Sequence, residues 1–140
     1  MFKVIADRRA WWPVIFAGVS EEGGVVANEI ELRFRLVDED QMRELVGKFA
    51  ELAEDDAGLA AYLKLGELFP GAPISLSTMR AALVMRIADD WRKVGAENGE
   101  PLKFLPENIL ALVKVPNAFD GIARAFIACW KATPEIRAGN

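Results

Sequence analysis

Carboxylates are the only plentiful reactive side chains in this chain: histidine is absent, cysteine occurs once, at Cys129, and 21 acids stand against 17 bases in 140 residues. Without imidazole, neither Ser-His-Asp nor Cys-His catalysis can be assembled, and the commonest metal ligand is missing. One cysteine with no histidine also excludes a structural zinc site. No Walker loop and no G-x-G-x-x-G occurs; the adjacent glycines of "EEGGVVAN" suit a hairpin turn instead, so no cofactor is expected. The acids cluster at Asp38, Glu39 and Asp40, at Asp55 and Asp56, and at Asp89 and Asp90. Side chains adjacent in sequence diverge around a helix, so these groups are expected at helix ends and solvated faces. The chain is therefore expected not to be an enzyme, with carboxylate catalysis as the one chemical alternative left open.

Apolar and aromatic side chains then carry the candidate function, which is binding. Trp11 and Trp12 are neighbours in a strand-like run and must point to opposite faces, one to the core and one outward. Phe119, Phe126 and Trp130 fall on one stripe of a last helix whose reverse side, Ala125, Ala128, Cys129 and Ala132, is also apolar. Such a helix is expected to be covered on two sides, one cover being a second subunit. The net charge of -4 argues against nucleic acid, whose binding draws on a concentrated surplus of Lys and Arg. No apolar run approaches the roughly 20 residues of a membrane span. The lone cysteine fits a reducing compartment. The opening "MFKVIADRRAWWPVIFAGVS" imitates an export signal, but Pro13, the two tryptophans and the lack of a small-x-small site favour a strand.

The elements that must position these residues are legible in outline. A hydrophobic fraction of 52% and a charged fraction of 27% describe a globular chain. At this length it is read as one domain over 1–140, able to bury roughly 70% of its unfolded surface. The fold class is α+β: an antiparallel hairpin or small sheet over about residues 2–37, then a bundle of four to five helices over 38–133, then a frayed tail over 134–140. "NEIELRFRLV" alternates with Ile30, Leu32, Phe34 and Leu36 on one face and Glu29, Glu31, Arg33 and Arg35 on the other. "WWPVIFAGV" is its hairpin partner, with Pro13 marking an edge or a bulge, and "FKVIAD" offers a third strand.

From Asp38 the period becomes helical, with Gln41 completing a capping box. Met42, Leu45, Val46, Phe49, Leu52 and Ala53 form a stripe expected to pack on the sheet. Residues 56–78 are the least legible: a helix to about Leu68, a loop around Phe69 to Pro73, then Ser75 or Ser77 as a cap. The next helix is read through Leu83, Val84, Ile87 and Ala88 to Trp91, a core anchor. Asn98-Gly99 makes the turn that sets the angle to a helix opened by Pro106 and Glu107 and ended before Pro116.

The sequence "ADDWRKVGAENGEPLKFLPENILALVKVPNAFDGIARAF", preceded by "FKVIAD", "EIELRFRLV" and "DEDQM", resembles the small tail assembly chaperones of long-tailed phages and prophages. The matching positions are Trp91, Val94, Gly99, Glu100, Pro101, Phe104, Glu107, Asn108 and Leu112, all structural residue types rather than a chemical signature. The resemblance spans nearly the whole chain and is most specific over 89–126. Two departures are Leu105, where the family pattern has a Ser or Thr cap, and a long "GELFPGAPISLS" segment. The resemblance implies that several copies sheathe the tape measure protein in the host bacterial cytoplasm until tail tube subunits replace them. The chain would then be missing from the mature virion and would associate with itself. In many such phages a translational frameshift yields a longer form that recruits the major tail protein. The alternative is a structural virion component, such as a tail tube, terminator or connector subunit.

Overall fold

The structure, a computed structural model, describes residues 1–133. The expected frayed tail, 134–140, lies outside them. The fold is α+β. Three antiparallel strands stand in the order β1 (Arg9–Val19), β2 (Val25–Arg35), β3 (Ala88–Arg92). Among the described residues there are six helices: α1 (Glu39–Glu51), α2 (Asp56–Tyr62), α3 (Leu65–Leu68), α4 (Leu76–Ile87), α5 (Pro106–Val113) and α6 (Ala118–Trp130).

The β1–β2 hairpin follows from its pattern. Val14 pairs with Ile30 and Trp12 with Leu32, so Val14, Phe16, Ile30, Leu32 and Phe34 form one apolar sheet face and are buried. The turn closes where Ser20 N–H donates to the Gly24 carbonyl at 2.8 Å, with Gly23 at φ +88°. Pro13 does sit on an edge strand. The outward carbonyls of Ile15 and Ala17, on the same side of the strand as Pro13, accept from Arg124 Nη2 at 2.7 Å and Asn117 Nδ2 at 3.1 Å. Helix α6 thus covers the edge that a proline cannot pair.

The third strand is not "FKVIAD". Residues 1–8 lie outside every strand, and β3 comes from the segment read as the end of a helix. Helix α4 stops at Ile87, and Ala88 turns extended at φ -141°, ψ 159°. A β-bulge explains the misreading: Phe34 pairs with Ala88 and Arg33 with Asp90, leaving Asp89 as the extra residue. Ala88 and Trp91 are then three apart and both face the core, which counterfeits helical spacing.

Asn98-Gly99 does not join two helices either. It closes a hairpin-like extension of β3, in which Gly99 takes φ +86°, Leu102 N–H donates to the Val94 carbonyl at 2.9 Å, and Gly95 pairs with Pro101. Trp91 is a core anchor as expected, 5% exposed, its Nε1 donating to the Leu102 carbonyl at 2.7 Å and its ring meeting Phe104 edge-on at 5.2 Å.

The caps follow the sequence. Asp38 and Gln41 form a reciprocal capping box, and Ser75 forms one with Thr78. Pro106 opens α5, where Leu105 supplies no side-chain cap. The expected single helix up to Leu68 is broken in two by Lys64, whose left-handed backbone at φ 57° separates α2 from α3. These two short helices build a satellite core of Leu59, Ala60, Leu63 and Leu65 against Ala82 of α4, while α4, α5 and α6 cover the apolar sheet face.

Candidate functional site

Helix α1 does not lay its stripe on the sheet. Only Met42 is buried; Leu45, Phe49 and Leu52 are half-buried, and Val46 is 59% exposed. The stripe instead forms one wall of a groove of about 240 Å³. Leu83 and Ile87 of α4 form its floor, and Phe119, Ala123, Phe126 and Ile127 of α6 form its other wall. All of the lining side chains are apolar. The physical reason is the sheet's size: three strands offer one apolar face, and α4, α5 and α6 already occupy it.

Two of the five expected binding residues, Phe119 and Phe126, meet in this groove. Phe126 is buried in its depth, its ring 5.5 Å from Phe34, and Phe119 is half-buried with the Arg80 guanidinium 4.7 Å over its ring. Trp130 stands beside the groove, and its Nε1 donates to the Val37 carbonyl at 2.8 Å, tying the end of α6 to the β2–α1 connection. Trp11 and Trp12 lie elsewhere. Trp12 faces the core, where its buried indole N–H finds no hydrogen-bond partner among the described residues. Trp11, on the opposite face, is covered by Arg92 at 3.7 Å and Arg33 at 5.7 Å, so it is not a bare platform.

The buried face of α6 also differs from the expected stripe. Ala118, Gly121, Ile122, Ala125, Phe126 and Cys129 go inward, which puts the small side chains against β1 and leaves Ala123 and Ile127 to the groove. A Cβ on Gly121 would stand 2.8 Å from the Ile15 carbonyl oxygen, so close packing on β1 selects the small side. Sequence periodicity found both faces, but size complementarity decided between them. Met42, Leu45, Val46, Phe49, Leu83, Ile87, Ala123 and Ile127 are the groove residues that the sequence reading did not assign to binding.

The acids have structural employment. Asp38 and Asp55 cap α1 and α2. Asp89 bridges Arg9 at 2.9 Å and Arg33 at 2.7 Å, and its hydrogen bond and charge hold the Arg33 guanidinium above its ordinary pKa. Glu31 pairs with Arg92 and Lys93 on the same outer sheet face. No group of three or more acids or thiols suited to a metal ion occurs among the described residues. Burial pushes the Cys129 thiol up to about 11, which leaves it protonated and inert at neutral pH.

The remaining family-pattern positions shape the β3–α5 connection. Val94 and Pro101 hold its two sides together, Asn108 Nδ2 donates to the Lys103 carbonyl at 2.9 Å ahead of α5, Glu107 places a charge in that helix's first turn, and Leu112 packs on the core. No helix among the described residues is long and apolar enough to cross a membrane. Comparison of the chain with protein-family models, with curated proteins and with solved structures finds no match.

Proposed function

We propose that this protein is a holder of amphipathic helices, acting as a phage or prophage tail assembly chaperone whose client is the tape measure protein. The observation that carries this reading is the apolar groove between α1, α4 and α6, whose wall residues Val46 and Ile127 stand open to solvent. A groove with apolar walls is the shape that receives the apolar face of a partner helix. One groove this small binds weakly, and several copies along one long client convert weak sites into durable coverage. That suits a holder whose task ends when tube subunits displace it. The resemblance over residues 89–126 supplies the identity of the client, and a frameshifted longer form would add contact with the major tail protein.

The test is co-expression with the long helical tape measure protein. The native chain should raise its soluble fraction several-fold and co-purify with it. Val46→Asp combined with Ile127→Asp should lose both effects while keeping the native melting temperature, because both side chains are already exposed. Retained binding in that variant overturns the groove as the site. Stoichiometric copies of the chain in purified particles would instead favour a structural virion component.

A further inference from the structure

A three-stranded sheet carries main-chain donors and acceptors along its outer edges, and this chain closes several of them with its own side chains. On β1 the carbonyls of Ile15 and Ala17 accept from Arg124 and Asn117, and Pro13 has no N–H to leave open. On β3 the Trp91 N–H, which points away from β2, donates to Asp90 Oδ1 at 2.8 Å. An edge left unclosed is a template for another strand.

The distal half of β2 is such an edge. The bonds from Ser20 N–H to Gly24 and from Leu36 N–H to Arg8 set the phase of the hairpin ladder, so even-numbered residues of β2 bond to β1 and odd-numbered ones face the other side. There Arg33 and Glu31 stand opposite Asp90 and Arg92. The cover then ends, because Lys93 takes a left-handed backbone at φ 66° and turns the chain off the ladder. Val25 and Ala27 therefore point N–H and C=O groups outward with no hydrogen-bond partner among the described residues. No bulge, proline or charge interrupts the run Val25-Val26-Ala27, where Val25 is 81% and Val26 41% exposed. Lys93, at the end of this edge, is held on Glu29 and Glu31 at 3.4 and 3.5 Å, so it stands as no free charge against an approaching copy.

Alternating donors and acceptors fit an extended strand, and an antiparallel edge is complementary to itself. We infer that two copies join along this edge, β2 against β2 about a two-fold axis, with Val25 of each opposite Ala27 of the other. That register uses the open groups of both residues on both copies, each facing pair exchanging two main-chain hydrogen bonds. Val26 meets its own counterpart at the axis, in a non-hydrogen-bonded position where Cα atoms approach to about 4.5 Å. The contact is isologous, so pairing consumes the edge and stops at two copies. A seam this short belongs with weak, transient contacts. None of its residues lines the α1–α4–α6 groove, so it is a separate surface from the one proposed for a client.

Val26→Cys and Val19→Cys are oxidised separately at high protein concentration with oxidised glutathione, the buried Cys129 thiol staying silent in a native control. Val19 is the more exposed, at 76%, so random collision would link Val19→Cys faster. The seam predicts the reverse: Val26→Cys forms its disulfide dimer several-fold faster, because the axis sets its two thiols face to face. Adding Ala27→Pro should abolish that advantage, since the ring replaces an N–H that serves the seam and not the β1 ladder. Val25→Asp keeps every main-chain group and sets two acids diagonally across the axis, and it should do the same. A native melting temperature in dilute solution checks the fold of each variant. Val19→Cys linking as fast as Val26→Cys overturns the inference, and so does an advantage that survives Val25→Asp in the folded protein. The groove variant Val46→Asp/Ile127→Asp should keep the advantage; its loss there would place the contact in the groove and overturn the seam.

Discussion

Gly47 and Gly121 both sit inside helices, and the same substitution should move stability in opposite directions at the two. A Cβ on Gly47 meets nothing within 4 Å, so Gly47→Ala gains the intrinsic helix preference for alanine and should stabilise by up to about 1 kcal/mol. At Gly121 the same gain is set against a Cβ 2.8 Å from the Ile15 carbonyl oxygen and 3.0 Å from the Phe16 Cβ. Neither neighbour is the flexible end of a side chain, and overpacking of this kind costs about 1–3 kcal/mol. Gly121→Ala should therefore destabilise by about 1–2 kcal/mol net of its helix gain. Urea midpoints of the two variants check both signs, and a stabilised Gly121→Ala would show that α6 can lift from β1 at little expense.

At the scale of elements, β3 and the hairpin behind it depend on one indole. Trp91→Phe keeps an aromatic ring against Phe104 but removes the donor to the Leu102 carbonyl, and an unsatisfied buried acceptor costs about 1–3 kcal/mol. The expected outcome is a loss of that order in denaturant stability. Faster amide exchange at Leu102, whose N–H bonds Val94, should accompany it, while the β1–β2 ladder keeps its protection. Where the sequence was legible, one local rule sufficed: strict alternation gave β2, Asp38 with Gln41 gave the start of α1, and Pro106 gave the start of α5. It was illegible where two elements share a signal. Ala88 and Trp91 kept a spacing of three because Asp89 is a bulge residue, so a five-residue strand passed as the last turn of a helix. Phe119 and Phe126 were visible as groove candidates, but the α1 wall was not. Its stripe is what any sheet-packing helix shows, and only the occupancy of the sheet by α4, α5 and α6 left it uncovered.

For the whole molecule, the proposed helix-holding use would seat a guest against three elements that are unequally attached to the sheet. The direct run of α4 into β3 sets how firmly the floor of the groove is seated. Ile87 in the floor is bonded to Ala88 in the sheet, and α6 is pinned to β1 through Asn117, Arg124 and the tight seat of Gly121. Two sides of the slot are thus bolted to the sheet, whereas α1 is held by Met42 and a few half-buried neighbours. Of the slot's three sides, α1 is therefore the jaw least firmly seated, and the sheet is the anvil behind the other two.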